Sequence, residues 1–204
     1  MRESGKLTIT DENLYLASRA ISAFLALIFS IVYSRSLGPE NRGILGAVFL
    51  FVLLFSQFLC GGFNLTFRTS ASKWNPEDYV WKFLKLSSLL SCLVAIVGTI
   101  SIYLYSQSRG GLATNYLTMS FFYFLVTVLS DQLTQIMLAL LQFNIIWKVE
   151  IAIISIQILL YLFFTHTGQI SVGIAVLLSF TFSYTLVIGW YLKFLLVTKR
   201  YVRL

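Results

Sequence analysis

The chain has 204 residues, of which 58% are hydrophobic and 11% charged, with a formal net charge of +7 and a mean hydropathy of +0.83. A soluble domain is nearer roughly 45–50% apolar and about 25% charged. The excess apolar surface excludes a single soluble core and predicts an all-α integral membrane protein. The two cysteines, Cys60 and Cys92, both fall in apolar runs, which suits small packed residues better than a disulfide or a metal pair.

About 20 apolar residues carry a helix across the hydrocarbon core, and six runs qualify. The first, 14–33, follows Asp11 and Glu12, is too long for a cleaved leader and lacks a small-x-small cleavage site, so it reads as a retained helix. One of its faces carries Arg19, Ser22, Ala26, Ser30 and Tyr33. The connector RSLGPENRG (35–43) follows. Gly38 and Pro39 are expected to stop the first helix and turn the chain, and Gly43 to let the second begin close against it. That is a tight hairpin without chemistry of its own.

The second run, 44–63, aligns Gln57, Cys60, Gly61 and Asn64 with Arg68 beyond it. Asn75-Pro76 breaks the chain before the third run, 83–105, and Gly110-Gly111 before the fourth, 116–141. The fourth places Thr127, Asp131, Thr134, Gln135 and Gln142 at helical spacing, and Asp131 is the one acid well inside a span. The fifth, 145–164, bears Glu150, Gln157 and Tyr161 more sparsely, with Lys148 and Glu150 expected at the interface. His166-Thr167-Gly168 turns the chain into the sixth, 172–196, which has Ser179 and Ser183.

Polar residues at membrane depth face a bundle interior or a wet cavity. Close packing alone also explains small hydroxyl residues, because they let helices approach and bond across them. Packing is the favoured reading for the serines. Asp131 is either a proton or sodium site or a structural partner of a hydroxyl or basic group. Arg19, about 7–8 Å into its helix, is either an interface anchor that snorkels or a cation aimed into a cavity.

Orientation follows from the basic residues. Arg2, Lys6 and Arg19, then Arg68, Lys73, Lys82 and Lys85, then Lys148, then Lys193, Lys199, Arg200 and Arg203 share one side. The other side holds Arg35, Arg42 and Arg109. Positive charge stays on the cytoplasmic face, so both termini are expected inside. The charge of +7 is then mainly a topology signal, and no nucleic-acid partner is needed to explain it. There is no G-x-S-x-G turn, no H-E-x-x-H pair and a single histidine, His166. An enzyme with catalytic or metal-ligating residues is therefore not expected.

The stretch 17–73 resembles the start of the polysaccharide-transport flippases, in the superfamily that also holds the multidrug and toxic compound extrusion proteins and the lipid II flippases. The marks are Arg35, then LGPE (37–40), Gly43 opening the second helix, and GGFN (61–64) ending it. LALLQFNIIWKVEI (138–151) is similar to that family's cytoplasmic turn. The resemblance implies translocation of undecaprenyl-diphosphate-linked oligosaccharide across a bacterial or archaeal cytoplasmic membrane, for assembly of O-antigen or exopolysaccharide. It implies coupling to a proton or sodium gradient and no other cofactor. Arg19, Gln57, Asn64 and Gln135 would then face the substrate, and Asp131 would couple the ion.

The family has twelve or more helices in two six-helix lobes, whereas residues 1–204 read as one lobe. A second lobe or a second copy is expected to complete the cavity. Two other readings stay open: a truncated, non-transporting remnant or scaffold, and half of a related multidrug exporter. The exporter reading is weakened by the lack of an acid in helix 1 beyond Glu12.

Overall fold

A computed structural model describes the backbone of residues 9–70, 76–107, 114–140, 142–166 and 171–202. Side chains are described within 13–39, 41–58, 80–107, 114–140, 142–166 and 171–197. These segments form six helices: α1 (Ile9–Ser36), α2 (Pro39–Ser70), α3 (Pro76–Gln107), α4 (Thr114–Ala139), α5 (Phe143–His166) and α6 (Val172–Val202). Each contains a stretch long and apolar enough to cross a membrane. The protein is an all-α membrane protein. In lipid a helix satisfies all its own backbone groups, so each apolar run folds as one.

The helices outrun the expected spans at nearly every end, because backbone hydrogen bonding continues into polar residues that an apolar count leaves out. The α1–α2 connector shows this most clearly. Of the nine residues 35–43, only Leu37 and Gly38 lie outside a helix. The Leu37 amide donates to the Tyr33 carbonyl at 3.0 Å and closes α1; the Arg42 amide donates to the Gly38 carbonyl at 3.0 Å and opens α2. Pro39 therefore starts α2, where its missing N–H costs nothing and its fixed φ suits the first turn. Gly43 sits a turn inside α2, and a Cβ there would meet no atom within 4 Å. It does not mediate the close approach expected of it.

Beyond the hinge α1 and α2 scarcely touch. The neighbours run α2, α3, α4, α6, α5, α1, with α2 also against α4, so the bundle is an arc whose two ends are the helices joined by the hinge. α4 lies at its centre and is the most buried of the six. The close approach that does occur involves other glycines. A Cβ on Gly98 would lie 2.9 Å from the Phe124 ring, and one on Gly173 would meet the Tyr116 hydroxyl. The same Tyr116 hydroxyl donates to Asn41 Oδ1 at 3.4 Å and ties the starts of α2 and α4 together.

Two buried clusters hold the arc. One, on the hinge side, gathers Phe29, Leu45, Val48, Phe124 and Val176; the other, at the far end, gathers Phe83, Leu133, Ile136, Ile146 and Tyr191. Several serines on α3, α4 and α6 (Ser91, Ser120, Ser179 and Ser183) are packing residues. Their hydroxyls donate to carbonyls of their own helix at 2.7–2.9 Å, which consumes their polarity locally. Outward faces are apolar: Phe24 and Leu104 are each 63% exposed and Leu159 66%. In water that surface would be untenable; in lipid it is the required one.

Candidate functional site

The arc encloses a cavity of about 660 Å³, lined by α1, α2, α4, α5 and α6. That lies within the ~300–1,000 Å³ of small-molecule sites. Among its lining residues, the five that are exposed (Arg19, Ala23, Ala26, Leu53 and Gln57) all belong to α1 and α2. The mouth is therefore the gap between those two helices. Three of the five are apolar, and Leu27, Leu50 and Phe58, next in sequence to lining residues, are exposed at 59%, 54% and 82%. It opens sideways, between two helices long and apolar enough to cross a membrane.

The lining is graded along the helix axes. Nearest the hinge is an aromatic cap made of Phe29, Tyr33, Phe49, Tyr123 and Phe180. Phe29 stacks on Phe180 with centroids 5.8 Å apart and meets Tyr161 edge-on at 5.2 Å. Phe49 contacts both Tyr123 and Phe180 at 5.5 Å. These rings close the hinge end.

At the opposite end lie the charges. Arg19, Asp131 and Glu150 each sit roughly 25 Å from the hinge-side end of their helix, at 1.5 Å per residue. They therefore form one level although they come from three helices. Arg19 Nε lies 3.0 Å from Glu150 Oε1, with the arginine side chain 54% exposed and the glutamate 12%. Nε also donates to the Tyr15 hydroxyl at 3.2 Å, and the guanidinium lies 5.7 Å from the Tyr15 ring centre. Tyr15 in turn packs on Phe143 at the start of α5. Asp131 feels the Arg19 charge without touching it.

Uncharged polar side chains complete the lining, Gln157 at the depth of the cap and Thr127 and Ser22 nearer the charges. Thr127 pairs with Tyr123 and Gln157 with Tyr184, whereas Ser22 Oγ and Glu150 Oε2 are buried without a hydrogen bond. Gln157 is only 2% exposed and lies against Tyr184. Buried polar groups are almost always paired. Two exceptions face this cavity, one on α1 and one on α5.

Of the residues singled out in the sequence, Arg19, Gln57 and Asp131 line the cavity; Gln135 does not. The lining stripe of α4 is Tyr123, Thr127, Ser130 and Thr134, with Asp131 at its edge. Gln135 is a further 100° round the helix from Thr134, and so turns away. Asn64 belongs to α2, but its side chain is outside the described residues. Glu150 lines the cavity as the partner of Arg19. The signal was its spacing of two helical turns from Gln157, which puts both on one face. Among the described residues no group of three His, Cys, Asp or Glu could hold a metal ion.

Fold and cavity thus define a multi-pass, all-α membrane protein with a side-opening pocket. Set against family models, curated proteins and solved structures, the chain matches none.

Proposed function

We propose that this chain is one lobe of a membrane transporter that carries a lipid-linked oligosaccharide, of the undecaprenyl-diphosphate type, between leaflets. The observation that supports the reading is the side opening: a cavity of mixed polar and apolar lining, with a charged end, reached between α1 and α2. An amphipathic substrate could place its polar head in the pocket while its tail stays in lipid. A water-soluble substrate needs no such gap. The excess of Lys and Arg on the side opposite the hinge favours both termini in the cytoplasm of a bacterial or archaeal cell. The aromatic cap then closes the outer end, and the charged level faces inward.

Arg19 is already bonded to Glu150, so binding a diphosphate would require it to change partner. Glu150 and Asp131 are the groups that would take up a proton or sodium ion in exchange.

The test is restoration of surface polysaccharide in a strain lacking its own flippase, with the chain expressed alone or with a second lobe. Restoration in the second arm only is the expected result. If neither arm restores polysaccharide while both proteins insert, the reading fails. One observation favours a rival, half of an exporter of cationic compounds: the charged level holds two carboxylates to one guanidinium. Ethidium efflux without restored polysaccharide in the same strains would select that rival.

A further inference from the structure

We propose that the outer flank of α5 and α6, at the end opposite the hinge, binds the headgroup of a diphosphatidylglycerol lipid, with one phosphate on Lys148 and the other on Lys193. This goes beyond the transport reading and does not depend on what the cavity carries.

Level and facing place the two lysines side by side. Ile146 and Val149 of α5 share a buried cluster with Tyr191 and Leu195 of α6, and the two helices pack on each other. Lys148 lies between the first pair in sequence and Lys193 between the second, so both stand at the level of that cluster. They are about 27 and 31 Å from the hinge-side ends of their helices, at 1.5 Å per residue. The hydrocarbon core is about 30 Å thick, so the lysines emerge where phospholipid headgroups begin. Val149 and Tyr191 are buried, whereas both lysines are exposed and neither lines the cavity.

The two charges are also free to take an anion. Neither lysine is in an ion pair among the described residues. Glu150, two residues from Lys148, lies about 200° round the helix and is bonded to Arg19. Each lysine has a tryptophan beside it. Lys148 Nζ lies 5.4 Å from the centre of the Trp147 ring, which holds the ammonium against the helix surface. Trp190, one turn before Lys193, is 54% exposed. Tryptophan rings settle at headgroup level, where one edge is wet and the rest apolar.

Packed helices lie about 8–10 Å apart, so lysines on neighbouring outer flanks present two separate charges. Two phosphates joined through one glycerol match them one to one. A lipid with a single phosphate satisfies one lysine and leaves the other. Basic pockets between helices at the cytoplasmic surface suit such doubly charged headgroups.

The experiment measures lipid binding to the full chain by native mass spectrometry from detergent. Diphosphatidylglycerol, phosphatidylglycerol and phosphatidylcholine are the added lipids. Each lysine–phosphate contact should contribute about fivefold in affinity. Diphosphatidylglycerol is therefore expected to bind about fivefold tighter than phosphatidylglycerol and about 25-fold tighter than phosphatidylcholine. Lys148→Gln and Lys193→Gln should each weaken it about fivefold, and the two together about 25-fold. Lys148→Arg with Lys193→Arg keeps both charges and should bind as the parent does.

Lys82→Gln with Lys85→Gln removes the same charge from α3, which packs on α2 and α4 instead. It should also bind as the parent does. All four lysines are exposed, so the variants leave the buried clusters intact. Equal affinity for the one-phosphate and two-phosphate lipids would overturn the site. So would an equal loss in the α3 pair and the α5–α6 pair, which would assign the binding to surface charge in general.

Discussion

The two ends of the cavity are built on opposite principles. At the hinge end, rings from α1, α2, α4 and α6 pack on one another and two residues join α1 to α2. At the other end the same two helices stand apart, and α1 is held to the bundle chiefly through α5, where Arg19 meets Glu150 and Tyr15 meets Phe143. Dispersion fixes the first end in one arrangement. An ion pair whose arginine is half exposed fixes the second, and such a pair can exchange for water, a ligand or a proton. The difference teaches that packing holds the first end, whereas the second rests on an interaction that solvent or a ligand can replace.

Removing the rings should matter most. Phe29 is 3% exposed and touches Tyr33, Tyr161 and Phe180. Phe29→Ala is expected to cost about 3 kcal/mol or more, the usual scale for an aromatic core deletion, in a denaturant titration followed by circular dichroism. A loss below about 1 kcal/mol would mean the cap does not hold the hinge.

The charged end should respond less and asymmetrically. Arg19→Met strands Glu150, whose side chain is 12% exposed. Breaking a fully buried pair costs about 3–5 kcal/mol, and the exposure of Arg19 reduces that to about 1–3 kcal/mol here. Glu150→Gln leaves an arginine that can reach the interface, so about 1 kcal/mol or less is expected. The same titration orders the two. Equal losses would show that the pair is not buried on one side only.

The smallest effect has the opposite sign. Gly43→Ala fills open space on α2 and removes the entropy cost of a helical glycine, which should stabilise by about 0.5–1 kcal/mol. A destabilisation would mean that α1 and α2 do approach there, contrary to the splayed arrangement.

Much of this was legible in the residues. The Ser22 and Ala26 positions at helical spacing from Arg19 marked the lining face of α1, and Thr127, Asp131 and Thr134 marked that of α4. Gln135 misled because a four-residue step from Asp131 is close to one turn. It is the true face of a helix only when the starting residue lies at the centre of that face, and Asp131 lies at its edge. The connector misled because Gly and Pro read as a stop, although a proline is equally suited to open a helix.

By itself the sequence determined the number and type of elements. Each apolar run must satisfy its own backbone in lipid, which is a local condition that composition can express. Only the tertiary structure decided that Arg19 pairs with Glu150, that α1 and α2 part beyond their hinge, and that Gln157, Thr127 and Ser22 line one cavity. Those outcomes depend on which helix lies beside which, and that is set by packing between segments far apart in the chain. The connector RSLGPENRG shows both sides: its residues fold into helix almost throughout, and the angle between the helices they join belongs to the whole bundle.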